Sequence, residues 1–195
     1  FLDKGLKRSQ QMFADLNKHA VKPTKSLGLL YDHRDTFARF IVNLANDNDI
    51  FHSRTETERA SVAPRSKNFF TLNGIADATR YLLKLKTKSV PPEKQKLAVE
   101  FWDTVCKNMP DWQLLLDENN KVTSADLRKR YVHGYTNILN ALGIAGHVLV
   151  TQHEDWRNML KNLNQIPWER DDPVWQGKIM IDGTMIKNKV GIKKA

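Results

Sequence analysis

Apolar residues recur along this chain at helical spacing, in blocks cut apart by proline, glycine and short Asn/Asp runs, and that recurrence constrains the fold more than any other feature. Phe37, Phe40, Ile41, Leu44 and Ala45 form one such arc; Leu72, Ile75, Ala76, Thr79, Leu82 and Leu83 form a second. Leu97, Ala98, Phe101, Trp102, Val105 and Met109 form a third. Side chains three and four apart share a helix face, so each block needs a core to cover it. The breakers are consistent with this division. Val21-Lys22-Pro23-Thr24 stops a first helix, Asn46-Asp47-Asn48-Asp49 closes the Phe37 helix, and Pro91-Pro92 opens the Leu97 helix, where proline is tolerated in the first turn.

Caps sharpen the boundaries. Asp32 or Asp35 can accept from the orphan amides ahead of Phe37, Thr71 suits the N-cap of a helix over 72 to about 86, and Thr123-Ser124-Ala125-Asp126 is a capping-box-like start. From there Leu127, Tyr131, Tyr135, Ile138, Leu139 and Leu142 share one arc of a long helical pattern, with Gly143 and Gly146 set for a kink or break before Val148–Val150. A last helix is expected from about Glu154 to Leu163, with Trp156, Met159, Leu160 and Leu163 inward. Residues 178–187 are expected to form a β-hairpin, because Ile179-Met180-Ile181 and Thr184-Met185-Ile186 flank Asp182-Gly183, a favoured two-residue turn. The fold class is therefore mainly α: one multi-helix domain over 1–195 with a small C-terminal β-hairpin.

Near the start, Leu6, Ser9, Met12, Phe13, Leu16 and Ala20 fall on one arc that is expected to face a core, with Gln10 and Asn17 along its edge. Phe1 opens the sequence without an initiator Met and a helical pattern follows at once, so the chain is expected to be a piece of a longer protein. No apolar run approaches the length of a membrane span and no signal-peptide pattern is present, which points to a cytoplasmic protein with no membrane partner.

Charge and chemistry narrow the function. There are 31 Lys and Arg against 22 Asp and Glu, a formal net charge of +9, which suits a polyanionic partner. The excess is regional: residues 50–90 hold eight basic and three acidic side chains, whereas residues 91–122 hold four and six. The one cysteine, Cys106, lies in an apolar stripe and is expected to be a packed thiol, and the six histidines include no His-Glu-x-x-His arrangement. Neither a metal nor a cofactor is indicated.

Two stretches have the chemistry of nucleic-acid contact. Residues 50–68 keep no regular period and place Arg54, Arg59, Arg65 and Lys67 among Ser and Thr, so that guanidinium forks and hydroxyls could meet phosphate oxygens; the same composition also suits a mobile surface loop. On the arc opposite the apolar one of the long helix lie Lys129, Arg130, His133, Asn137 and Asn140, which would suit either DNA contact or a solvated face.

Four motifs in order, Arg8-Ser-Gln-Gln-Met-Phe-Ala-Asp-Leu-Asn17, Tyr31-Asp-His-Arg-Asp35, Arg65-Ser-Lys-Asn-Phe-Phe-Thr-Leu72 and Trp175-Gln-Gly177, resemble the DGQHR-domain family, and within it the DndB family of DNA sulfur modification proteins. The resemblance covers essentially the whole chain. It implies a bacterial protein tied to DNA phosphorothioation that binds double-stranded DNA and represses transcription of the modification genes, with other modification proteins as possible partners and oligomers as a possible state. It also implies a relation to the ParB-like superfamily of nucleotide hydrolases and nucleases. The Asp-Gly-Gln-His-Arg motif itself does not occur in this sequence and in relatives precedes the helix that matches Arg8 to Asn17. The resemblance therefore makes this chain the part downstream of that motif, with Gln10, Asp15 and Asn17 as candidate site-shaping residues in an alternative enzymatic reading. A protein-interaction subunit is the third reading.

Overall fold

A computed structural model describes residues 8–15, 23–117 and 119–185 of the 195-residue chain. It is mainly helical. Residues 8–15 are helical, followed by α1 (Lys25–Tyr31) and α2 (Thr36–Asp47). Next come the short strands β1 (Thr55–Glu56) and β2 (Phe70–Thr71), then α3 (Leu72–Leu83), α4 (Pro92–Asn108) and the single turn α5 (Pro110–Gln113). Then α6 (Ser124–Arg130), α7 (Thr136–Gln152) and α8 (Trp156–Met159) lead into 3-10 turns at Leu160–Gln165 and Pro173–Trp175, and the chain reaches β3 (Met180–Ile181) and β4 (Thr184–Met185). Among the described residues no helix is long and apolar enough to cross a membrane.

The expected caps form. Asp35 accepts from the amides of Phe37 and Ala38 at 2.9 and 3.1 Å, Thr71 from Gly74 at 3.2 Å, and Thr123 and Asp126 exchange the two bonds of a capping box. The arcs on α2 and α3 are buried in full, and so is that on α4 except for half-buried Leu97. β3 and β4 pair antiparallel around Asp182-Gly183, whose φ angles of 48° and 71° are those a two-residue hairpin turn needs. The remainder of the expected hairpin, 186–187, lies outside the described residues.

α3 and α7 pack directly against each other, and glycine permits the approach. A Cβ on Gly143 would stand 2.2 Å from the Ala78 carbonyl oxygen, and one on Gly146 would stand 2.3 Å from the Phe101 ring. This overturns the expected break: α7 runs unbroken through both glycines to Gln152, because their lack of a side chain is used for packing. Around this pair lies an aromatic core of Phe51, Phe69, Phe70, Phe101, Trp102 and Trp112, with ring pairs such as Phe70–Trp112 at 5.0 Å and Phe101–Trp102 at 5.2 Å. Trp102 donates its indole N–H to the Thr79 hydroxyl at 3.0 Å, and that hydroxyl donates to the Ile75 carbonyl at 2.8 Å. The polar edge of the tryptophan is thereby satisfied inside the core.

Three further expectations fail. Ser9, Met12 and Phe13, the described part of the first arc, are exposed, the last two at 60% and 70%; Leu6, Leu16 and Ala20 lie outside the described residues. Met159 is exposed while Trp156, Leu160 and Leu163 stay inside, and the expected helix passes into a 3-10 turn at Leu160. The long helix expected from Thr123 is two helices, broken between Tyr131 and Tyr135.

Candidate nucleic-acid interface

The break between α6 and α7 arises because residues 130–132 lie beside 168–170 instead of continuing the helix. Val132 N–H donates to the Trp168 carbonyl at 2.9 Å, Arg170 N–H donates to the Arg130 carbonyl at 3.0 Å, and Tyr131 and Glu169 form an antiparallel bridge. Backbone groups that would have extended α6 are satisfied across the chain, so helical periodicity carries on in the sequence while the helix does not. α6 consequently ends in three consecutive basic residues, Arg128, Lys129 and Arg130.

Those three do different things. Lys129 and Arg130 are exposed, with the Arg130 guanidinium 5.2 Å from the centre of the Tyr131 ring. Arg128 turns inward and is only 8% exposed. Nη2, whose two N–H are shared among three acceptors, lies 3.0 Å from the carbonyls of Ala63 and Pro64 and 3.2 Å from that of Ser66, and Nη1 donates to the carbonyl of Asn68. Burial pulls this guanidinium below its ordinary pKa, yet an arginine stays charged in proteins, and four carbonyl dipoles satisfy it.

The segment that Arg128 holds belongs to the long basic stretch. Its ends meet where β1 and β2 pair in parallel, Thr55 opposite Phe70 and Glu56 opposite Thr71. Within it Glu56 accepts from the amides of Glu58 and Arg59 at 3.0 and 3.2 Å and from the Asn68 side chain at 3.2 Å. Burial works to raise the Glu56 carboxyl, but these bonds and the nearby Arg59 charge hold it below its ordinary value. The Thr24 hydroxyl donates to the Glu58 carbonyl, fastening the outer side. Such a closed excursion is an Ω-like loop, packed by its own side chains.

The candidate residues separate on this frame. Arg59, Arg65 and Lys67 are exposed on the loop, and Lys129 and Arg130 are exposed on α6, one and two positions from the arginine that grips the loop. Arg54 is half-buried and donates to the Leu115 carbonyl at 2.8 Å, while its own carbonyl accepts from Phe69 and Phe70, so its contacts are those of a loop anchor. His133 and Asn137 are corrected. Neither shares an exposed face with Lys129 and Arg130: the helix break turns His133 to 0% exposure, and Asn137 is buried on α7, as is Asn140.

His133 instead joins the core. Trp112 donates its indole N–H to Nδ1 at 3.0 Å, and Nε2 lies 3.1 Å from Oδ2 of Asp111. An indole nitrogen can only donate, so Nδ1 accepts and the ring proton sits on Nε2, where it bonds to the carboxylate. Burial pushes the His133 pKa down against the raising effect of Asp111, and the bond from His133 in turn holds Asp111 below the ordinary carboxylate range. A neutral imidazole beside an ionised carboxylate fits both directions.

Gln10 and Asp15 are exposed on the 8–15 helix, where Gln11 donates to Asp15 at 3.0 Å, and Asn17 lies outside the described residues. An open cleft of about 340 Å³ between α1, α2 and α3 is lined by Lys25, Asp32, Asp35, Asn73, Asp77 and Arg80. The sequence match at Tyr31–Asp35 therefore falls on a cap and a cleft wall. Lys88, 3.8 and 3.7 Å from Asp32 and Asp35, balances part of its acidity. Among the described residues no group of three or more His, Cys, Asp or Glu side chains could hold a metal ion.

A family model described as DndB, DNA-sulfur modification-associated, matches residues 1–195, the whole chain. The chain belongs to the DndB family. No curated protein and no solved structure matches it. In this DndB-family chain the residue that sequence reasoning missed is Arg128. A signal was available: Ser124, Leu127, Arg128 and Tyr131 have the spacing of one buried helix face, which sets Arg128 apart from Lys129 and Arg130.

Proposed function

We propose that this DndB-family chain binds double-stranded DNA and represses transcription of the DNA sulfur modification genes. One observation supports the reading: Arg128 ties the 63–68 segment, which carries exposed Arg65 and Lys67, to the end of α6, where Lys129 and Arg130 are exposed, and Arg59 is exposed further along the same loop. Phosphate contact supplies most of the affinity of such a region, and arginine can in addition read guanine edges. The family's association with DNA sulfur modification supports DNA as the polyanion. Mobility shift of promoter DNA from the modification genes against a shuffled duplex of equal length tests the reading. A repressor shifts the promoter at lower protein concentration. Equal shifts would leave a non-specific DNA-binding protein, and no shift of either duplex would sink the proposal.

A further inference from the structure

We infer that Arg128 is a positioning residue for DNA contact, a guanidinium clamp that holds the 63–68 segment in the shape from which Arg65 and Lys67 meet phosphate; this rests on the DNA-binding reading above. The case begins with what Arg128 does not do. It is the most inward of three adjacent basic residues, and its hydrogen-bond partners among the described residues are main-chain carbonyls of one loop and no carboxylate. Nη1 and Nη2 belong to one rigid planar guanidinium, so gathering the carbonyls of Ala63, Pro64 and Ser66 at Nη2 and that of Asn68 at Nη1 constrains the backbone path between them. Arg65 and Lys67 alternate with the gripped residues along that path.

The clamp is itself held. The Arg128 carbonyl accepts from the Tyr135 hydroxyl at 3.2 Å, and its aliphatic stem runs where Gly134 leaves room: a Cβ there would stand 2.9 Å from Arg128 Cγ and 2.8 Å from the Phe69 ring. Phe69 is the residue with which the loop re-enters the core. The same glycine thus lets the arginine stem and the loop's exit pack together, and Lys129 and Arg130 follow directly on the clamp. Ordering the loop before binding also removes part of the entropy that a loose cationic segment would lose on meeting DNA.

Non-additivity separates positioning from simple loss of charge. Anisotropy titrations of a fluorescent duplex would compare wild type, Arg65→Ala/Lys67→Ala, Arg128→Met and their combination, with Lys129→Ala/Arg130→Ala on both backgrounds. Removing Arg65 and Lys67 weakens wild-type binding by about tenfold, and by less than about twofold once Arg128 is Met, while Lys129 and Arg130 keep their full effect on both backgrounds. The same tenfold effect of the loop pair with and without Arg128 overturns the inference. If Arg128→Met fails to fold, Arg128→Lys takes its place: it keeps the charge but lacks the planar fork, and weakens binding to nearly the same extent. Full binding by the lysine variant, with unchanged hydrogen exchange across 57–69, would equally overturn it. Hydrogen exchange also tells the two proposals apart. Faster exchange across 57–69 in the variant, with no duplex binding by wild type, sinks the DNA reading and with it the clamp's role in binding; unchanged exchange, with wild-type binding intact, sinks the clamp alone.

Discussion

The indole N–H of Trp112 points at Nδ1 of His133 across 3.0 Å, both side chains fully buried, and this one bond decides the protonation state of the ring. It also explains why His133 cannot be a surface contact. The ring is stacked on Tyr131 at 5.0 Å and 15°, edged by Phe69 at 6.0 Å, and engaged at both nitrogens.

Acid should therefore loosen the core at this point. The folded pKa of His133 lies below its unfolded value, so its stabilising contribution is complete above the unfolded value of 6.5 and is lost as pH falls through the folded one. Asp111, also depressed, adds a loss in a more acidic window, below 3.8. Urea unfolding of wild type at about pH 7 and about pH 5 should show a stability drop that shrinks in His133→Asn, which has nothing to protonate there. The same drop in both proteins would contradict the assignment of the neutral ring.

Glycine should be required at one helix position and dispensable at another. Gly143→Ala places its Cβ against the backbone oxygen of Ala78 and should cost about 2–3 kcal/mol through forced separation of α3 and α7. Gly28→Ala in α1 meets nothing among the described residues within 4 Å and should stabilise by about 0.5–1 kcal/mol through helix propensity alone. Denaturant midpoints measured side by side check both signs.

Cys106 should be silent to thiol reagents in the native protein. Burial pushes its thiol up, out of the range in which thiolate forms near neutral pH, and it bonds weakly to Asn48 at 3.4 Å. Labelling with Ellman's reagent should be negligible until denaturant exceeds the unfolding midpoint. Rapid labelling of folded protein would show that the α4 packing opens locally.

Much of the helical frame was legible because its signals are local. Thr71, Asp35 and Thr123 cap where their side-chain chemistry says they should, and the arcs on α2 and α3 point inward residue by residue. The hairpin at Asp182-Gly183 was legible for the same reason, since two residues with positive φ are a local requirement. What failed depends on partners distant in sequence. Nothing near Tyr131 announces that Trp168 and Arg170 will take its neighbours' backbone bonds, and without that knowledge helical spacing continues through His133 and Asn137 onto a face that does not exist. Gly143 and Gly146 look like breaks for the same reason, because the Ala78 oxygen and the Phe101 ring that explain them lie on other helices. In the candidate interface, residue type alone could select Arg59, Arg65, Lys67, Lys129 and Arg130, all of which prove exposed. It could not distinguish them from Arg54, which anchors the loop through Leu115, or from Arg128, which holds it.

A salt titration of wild-type protein on fluorescent promoter duplex tests the central claim most directly. If exposed cations of the loop and of α6 meet phosphates, log K falls linearly with log salt, and each of Arg65, Lys67, Lys129 and Arg130 replaced by Ala lowers the slope by about 1. Failure to bind duplex at about 50 mM salt, or a slope that none of the four substitutions changes, would contradict it.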